Sequence, residues 1–226
     1  MAFGATDFQA AIPVSRETLD KLCLYAALLE KWQRHINLVS GNSLGHLWCR
    51  HMLDSAQLVG LADIVGAAGR AGARCWLDIG SGAGFPGLVV AIMGAGKVHL
   101  VESDGRKCAF LHDVIRRTGA PAEVHNARIE SLAPLGADVI VARALAPLPR
   151  LLGLCRQQSH ADSLCLFLKG QDVEFELTEA SKCWKISASC HPSQSEARGR
   201  ILAIRGPIDE IRQSSAAPGA PAAGEQ

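Results

Sequence analysis

The run Trp76-Leu77-Asp78-Ile79-Gly80-Ser81-Gly82-Ala83-Gly84-Phe85-Pro86-Gly87 constrains the fold more than any other part of the chain. Its first four residues read as the end of a buried strand. Glycines at 80, 82, 84 and 87 follow; glycine adopts positive φ without steric cost and lets a ligand come close to the backbone. The apolar stretch 88–93 then reads as a helix. A strand that enters a helix through a glycine turn is the opening unit of a Rossmann-like α/β sheet, with a nucleotide-type cofactor at the turn.

The rest of the chain extends that unit. Strands are expected at 75–79, 97–101, 122–125, 137–141, 163–168, 182–188 and 200–204, with helices at 87–93, 106–118, 148–157 and 173–180. Strands alternating with helices imply a parallel sheet covered on both faces. Only the polar stretch 191–199 separates the last two strands, which predicts a closing antiparallel hairpin. Upstream, Leu19, Leu22, Cys23, Ala26 and Leu29 recur at helical spacing after Ser15, a helix-start residue, and this helix runs to about Arg34. A second helix is expected over 44–61, with Leu47, Trp48, Met52, Leu53 and Ala56 facing inward. The expected organisation is a helical extension (1–70) ending in an Ala/Gly linker (66–72), a seven-stranded domain (71–212) and a low-complexity, disordered tail (213–226).

With 226 residues, 48% of them hydrophobic, the chain can bury one large core. Its net charge of +1 supplies no global field for nucleic acid, so any polyanion must meet local basic clusters. The eight cysteines form no C-x-x-C pair, and several sit in apolar runs such as 164–167. That pattern implies packed, reduced thiols rather than disulfides or zinc, and no metal site is expected. No signal-peptide pattern opens the chain, and no apolar run reaches the ~18 residues of a membrane span. The expectation is a cytoplasmic protein without membrane contact.

Two cofactors fit the glycine turn. Gly82-x-Gly84-x-x-Gly87 matches a dinucleotide fingerprint, with Glu102 twenty residues after Gly82. Against this, Gly82 lies four residues past Asp78, a long turn for a pyrophosphate loop. Asp78-x-Gly80-x-Gly82-x-Gly84 instead suits S-adenosylmethionine, which carries no pyrophosphate. Asp78 would face the cationic amino-acid end of that ligand, and Glu102, ending the second strand, would accept from the ribose hydroxyls. Ile129 would pack on the adenine and Glu130 would receive its exocyclic amine, or serve as a helix-start carboxylate. The pattern favours the methyl donor and leaves the dinucleotide open.

Several blocks, in order, carry a family resemblance. They are Lys31-Trp32-x-x-x-Ile36-Asn37-Leu38-Val39-Ser40, Arg50-His51-x-Leu53-Asp54-Ser55, the glycine run, and Glu102-Ser103-x-x-Arg106-Lys107-x-x-Phe110-Leu111. Ala127-Arg128-Ile129-Glu130, Arg143-Ala144 and Leu168-Lys169-Gly170-Gln171 follow. Over about residues 15–205 the chain resembles the glucose-inhibited division protein B family, bacterial 16S ribosomal RNA guanine-N7 methyltransferases. The resemblance implies a class I S-adenosylmethionine-dependent fold, with the ligand held by Gly80, Phe85, Ile129, Glu130 and Arg143. It implies Glu102 as the ribose ligand, where many relatives carry Asp, and Ala83 stands where relatives often have Pro. The implied substrate is the guanine at position 527, in the 530 loop of 16S rRNA, naked or within the small ribosomal subunit. The expected state is a monomer.

Guanine N7 has a free lone pair, so attack on a sulfonium methyl needs no general base, and none of the eight histidines forms an evident acid–base pair. Arg143 and Lys169, at the ends of the fourth and fifth strands, are the candidate positioning residues. Arg143 would bind the ligand carboxylate or guanine O6, or else pair with Asp78 or Glu130. Lys169 would contact a backbone phosphate or remain a solvated lysine. Arg50, His51, Arg106 and Lys107 are the further RNA-binding candidates, with an i,i+4 pair between Arg50 and Asp54 as the alternative for Arg50. Arg116 and Arg117 read as helix-end cations, and Trp32, Trp48 and Phe110 as core. A small-molecule or protein methyltransferase, a non-catalytic sensor and an NAD oxidoreductase are the rival readings.

Overall fold

The structure, a computed structural model, describes residues 3–67 and 73–211. Most of the expected linker and all of the expected tail lie outside the described residues. The helices are α1 (Ala5–Ala11), α2 (Arg16–Gln33), α3 (Gly41–Leu44), α4 (Asp54–Ile64), α5 (Gly87–Ile92), α6 (Gly105–Thr118), α7 (Leu148–Arg156) and α8 (Val173–Ser181). The strands are β1 (Arg74–Ile79), β2 (Gly96–Glu102), β3 (Ala122–Asn126), β4 (Val139–Arg143), β5 (Leu164–Lys169), β6 (Trp184–Pro192) and β7 (Arg200–Glu210).

The strands form one sheet in the order β3-β2-β1-β4-β5-β7-β6. Pairing from β3 through β5 is parallel, and β7 inserts antiparallel between β5 and β6. The expected closing hairpin is present. Chain direction across the sheet reverses between β1 and β4, and the carboxyl ends of those strands frame the crevice where open α/β sheets bind ligands.

Central strands bury both faces. Trp76, Val139, Val141, Leu164 and Leu166 join one core with α2, α4, α5 and α6. Leu77, Ile79, Ile140, Cys165 and Phe167 join the other with α7 and α8. The N-terminal helices therefore complete the sheet's own core. Ser15 caps α2 by accepting from Thr18 N at 3.1 Å. Leu22, Tyr25 and Leu29 of α2 are fully buried, each contributing roughly 1.5–3 kcal/mol.

Two expectations fail locally. The single helix over 44–61 is instead α3, a π-helical segment Leu47–Leu53 and then α4. The widened turn puts His51, Met52 and Leu53, three consecutive residues, against the interior. Thiol burial is also partial: Cys108, Cys155 and Cys165 are buried, but Cys23, Cys183 and Cys190 are exposed, and all eight are free. Among the described residues no helix is long and apolar enough to cross a membrane.

Candidate active site

At the end of β1 the chain turns through Gly80, Gly82 and Gly84 at φ +73°, +55° and +92°. A Cβ on Gly80 would lie 2.6 Å from Leu145 Cδ1, and one on Gly87 would lie 2.7 Å from Asp78 Oδ2. The turn's own amides are occupied. Gly80 N and Ser81 N donate to Val101 O at 2.9 and 3.0 Å, and Gly84 N donates to Ser81 O at 2.6 Å. Gly82 N donates to Glu102 Oε2 at 2.9 Å, and Gly87 N to Asp78 Oδ2 at 3.0 Å. A dinucleotide loop needs these glycine amides free to face a pyrophosphate. Here two carboxylates and two backbone carbonyls hold them, and the Glu102 charge would repel a phosphate. This disfavours the dinucleotide alternative.

Asp78 lies beneath the turn rather than on a cavity wall. It is fully buried, its carbonyl accepts from Ser81 Oγ at 3.0 Å, and its Oδ1 has no partner. Burial pushes its carboxyl up to about 7, against the lowering effect of the Gly87 N–H and the Ser81 hydroxyl. Asp78 therefore does not line the cavity where a ligand's ammonium was expected to meet it: one carboxylate oxygen accepts from the first residue of α5, which only glycine lets approach, and the other is unpartnered. Tyr25, from α2, stiffens the same turn by donating to Ala83 O at 2.5 Å and stacking on Phe85 with ring centroids 5.2 Å apart.

Between the ends of β1, β2, β3 and β4 lies a cavity of about 430 Å³. Its walls include Ile79, Gly80, Gly82, Glu102, Ile129, Glu130, Arg143 and Leu145, with the polar side chains of Ser103, Lys107, Arg128 and Arg150. Glu102 Oε1 also accepts from Asp104 N at 2.8 Å, so both carboxylate oxygens are oriented and each retains accepting capacity. Ile129 is buried and Glu130 exposed in the single 3-10 turn after β3. Phe85 lines a smaller neighbouring cavity, of about 270 Å³, together with Arg50, His51 and Arg143.

Arg143 closes β4. Its Nη1 donates to His51 Nδ1 at 2.7 Å, and its Nε lies 3.7 Å from Asp54 Oδ2. Neither Asp78 nor Glu130 is its partner. Because guanidinium can only donate, His51 accepts at Nδ1 and is neutral; burial first, then the charges of Arg143 and Arg50, pull its pKa down to about 3. His51 packs on Phe85 with centroids 4.8 Å apart, and its Nε2 is buried without a partner. Ala144, the next residue, holds φ +49°, a conformation that costs a non-glycine residue on the order of 1 kcal/mol and gathers at functional sites.

A second cavity, about 790 Å³, adjoins the first along residues 143–146 and is lined also by Arg50, Asp54, Lys169, Phe175 and Glu196. Arg50 Nη2 lies 3.5 Å from Glu196 Oε2. The i,i+4 pair with Asp54 is absent because the π-helical segment ends that spacing. Asp54 Oδ1 instead accepts from Ser195 Oγ at 2.6 Å and Ser193 Oγ at 3.0 Å. Lys169 is committed: its Nζ contacts Glu176 Oε2 at 2.7 Å and Ala146 O at 3.1 Å. It is not a free phosphate ligand, which corrects the expectation for it. Arg106 is exposed, 3.7 Å from Asp104. Arg116 and Arg117 both pair with Asp113, as structural cations do. Phe8 packs on Trp48, and Trp32 donates to Asp113 Oδ2 at 3.1 Å.

Sequence reasoning gave no role to Arg128, Arg150, Phe175 or Glu196. Arg128 stood inside a quoted block and offered a signal; the others become visible only once α7, α8 and the β6–β7 loop meet at the sheet edge.

Comparison with known proteins agrees with this geometry. The family model GidB, rRNA small subunit methyltransferase G, matches residues 18–198. A ribosomal RNA small subunit methyltransferase G of Paramagnetospirillum magneticum is 56% identical over 192 residues, 85% of this chain and 90% of that one. One of Parvibaculum lavamentivorans is 53% identical over 206 residues, 88% of each. Among solved structures, a SAM-dependent methyltransferase from Aquifex aeolicus superposes with TM-score 0.53 at 14% identity, over 79% of this chain and 97% of that one. A MtNAS variant in complex with S-adenosylmethionine gives TM-score 0.57 at 13% identity, over 90% of this chain and 84% of that one. These two likenesses speak for the fold, and the family match with the sequence relatives for the lineage: the chain belongs to the GidB family of rRNA small subunit methyltransferases G.

Proposed function

We propose that this enzyme transfers the methyl group of S-adenosylmethionine to N7 of the guanine at position 527 of 16S rRNA. The observation that carries the reading is the cofactor cleft. Its glycine amides are engaged internally, and its wall pairs an oriented carboxylate with apolar Ile129 and carries Arg143. That donor set fits a nucleoside bearing an amino acid and no phosphate.

Bound there, S-adenosylmethionine supplies an electrophilic methyl on sulfur. Glu102 would take the ribose hydroxyls through its remaining lone pairs, Ile79 and Ile129 would pack against adenine, Glu130 would receive its amine, and Arg143 would hold the carboxylate. Gly80 and Gly82 keep the floor of the cleft free of side chains, and Phe85 and His51 back the turn. Guanine N7 attacks without losing a proton, so no side chain acts as a base. The protein's contribution is alignment, with reacting atoms about 3–3.5 Å apart, and extraction of the base from its RNA surroundings.

The second cavity receives the guanine. Phe175, 68% exposed on its wall, is a stacking platform of the kind that single-stranded bases use. Methylation leaves the base cationic, and the carboxylates of Asp54 and Glu196 favour that charge. Arg50, Lys107, Arg128 and Arg150 contact phosphates. The enzyme acts as a cytoplasmic monomer on the small ribosomal subunit or its RNA.

Radiolabelled methyl transfer to unmodified small-subunit RNA, naked and assembled, tests this reading, with the product nucleoside identified by mass. Label in 7-methylguanosine at one position is expected. Label in another base or atom, or no label despite cofactor binding, would overturn it.

A further inference from the structure

On the sheet face opposite α6, three donor-bearing side chains converge between β2 and the edge strand β3. Alternation puts Val98, Leu100 and Val124 toward α6 and leaves His99, Glu123 and His125 on the other side. His99 Nδ1 and His125 Nε2 are 2.8 Å apart. Glu123 Oε2 lies 3.9 Å from His99 Nδ1, and Glu123 Oε1 lies 4.0 Å from His125 Nε2.

Zinc binds imidazole nitrogen and carboxylate oxygen at about 2.0–2.2 Å, so tetrahedral donors sit about 3.3–3.4 Å apart. To enclose one ion the two rings would part by about half an ångström, and one Glu123 oxygen would close in by side-chain torsion, the three donor atoms lying within 4.8 Å of one another. The backbone is already set. His99 faces Glu123 in the parallel ladder, and Val101 faces His125 two residues on, so the donors stand on paired strands rather than loops. The two His side chains are 9% and 16% exposed and Glu123 is 52% exposed, which leaves the solvent side for a water. Two imidazoles, one carboxylate and a water form a donor set suited to zinc. Lys97 is the competitor, with its Nζ 2.9 Å from Glu123 Oε2.

We propose that His99, Glu123 and His125 form a zinc(II) site that fastens the edge strand to the sheet. The consequence reaches the cofactor cleft. β3 ends at Asn126, whose Nδ2 donates to Glu102 O at 3.2 Å, and the chain then forms the wall at Ile129 and Glu130.

The test is calorimetric titration of zinc into metal-stripped full-length protein, with the exposed thiols alkylated beforehand, together with thermal melts of the same samples. The wild type is expected to bind one equivalent and to melt higher when loaded. Glu123→Gln, a surface change that spares folding, should weaken binding about ten-fold or more, and His125→Ala should abolish it. Lys97→Ala should tighten binding several-fold by releasing the carboxylate. Absence of saturable binding by the wild type, or binding unchanged by Glu123→Gln, would overturn the proposal.

Discussion

At the glycine turn that floors the cofactor cleft the polar groups are tied to near neighbours in sequence. Gly82 reaches Glu102 across 20 residues, Gly87 reaches Asp78 across 9, and Asp104 reaches Glu102 across 2. In the adjoining cavity the ties are long. Arg143, which lines both cavities, meets His51 across 92 residues, and Asp54 meets Ser193 and Ser195 across 139 and 141. The first region is a strand–turn–helix unit whose groups are buried and engaged as soon as β1 and β2 pair. The second exists only after the N-terminal helices, β4 and the β6–β7 loop have docked, and it keeps exposed charges such as Arg50 and Glu196. The first region is set by contacts local in sequence, whereas the second gathers cations and carboxylates from segments far apart in the chain.

The sharpest way to break this contrast is to add one methyl group in each region. A Cβ on Gly87 would lie 2.3 Å from Leu100 Cδ2 as well as against Asp78, while a Cβ on Gly170 meets nothing within 4 Å. Gly87→Ala should cost about 3 kcal/mol by overpacking and abolish cofactor binding. Gly170→Ala should stay within about 0.5 kcal/mol. Urea unfolding of both variants measures the difference; equal costs would erase the contrast.

A second contrast is the sign of the pH dependence. Asp78 titrates near 7 in the folded chain and near 3.8 otherwise. Its contribution to stability is complete below the lower value and is lost as pH rises toward the higher. His51 titrates near 3 when folded and near 6.5 otherwise, so its contribution is complete above 6.5 and is lost as pH falls toward 3. Each slope is at most about 1.4 kcal/mol per pH unit. Relative to wild type, Asp78→Asn should gain stability between pH 4 and 7, and His51→Gln should gain it on the acid side. Urea midpoints across pH 4–8 check both, and a shared sign would show that one environment is misassigned.

At the junction, Ala144→Gly should relieve the positive φ and stabilise by about 1 kcal/mol, as read by thermal melting; destabilisation would mean the alanine methyl is packed. The smallest effects concern RNA. Lys107→Ala should reduce the salt dependence of RNA binding by about one ion, because that lysine lines the cleft without an ion pair among the described residues. Lys169→Ala should leave it unchanged, because Glu176 holds that ammonium. Anisotropy titrations over a series of salt concentrations separate the two.

What sequence could show follows the same division. Glycine spacing and two-residue alternation are local signals, so the turn, Glu102 at the end of β2, the Ile129-Glu130 step and the antiparallel final strand were all legible. The burial of Asp78 was not legible, because alternation places a strand-end carboxylate near the turn but does not say that Gly87 lets α5 reach one of its oxygens. The alternative pair of Arg50 with Asp54 does not form, because helical spacing assumes 3.6 residues per turn and the π-helical segment departs from it. Lys169 looked free because its partner, Glu176, sits on the next helix, and the Ser193–Asp54 contact has no sequence signature at all.

Side-by-side calorimetry of S-adenosylmethionine and NAD on the protein decides between the two cofactors. Stoichiometric binding of the methyl donor is expected, and none of the dinucleotide at millimolar concentration, because Glu102 and Asp78 already hold the amides of Gly82 and Gly87. Saturable NAD binding that S-adenosylmethionine displaces would contradict it.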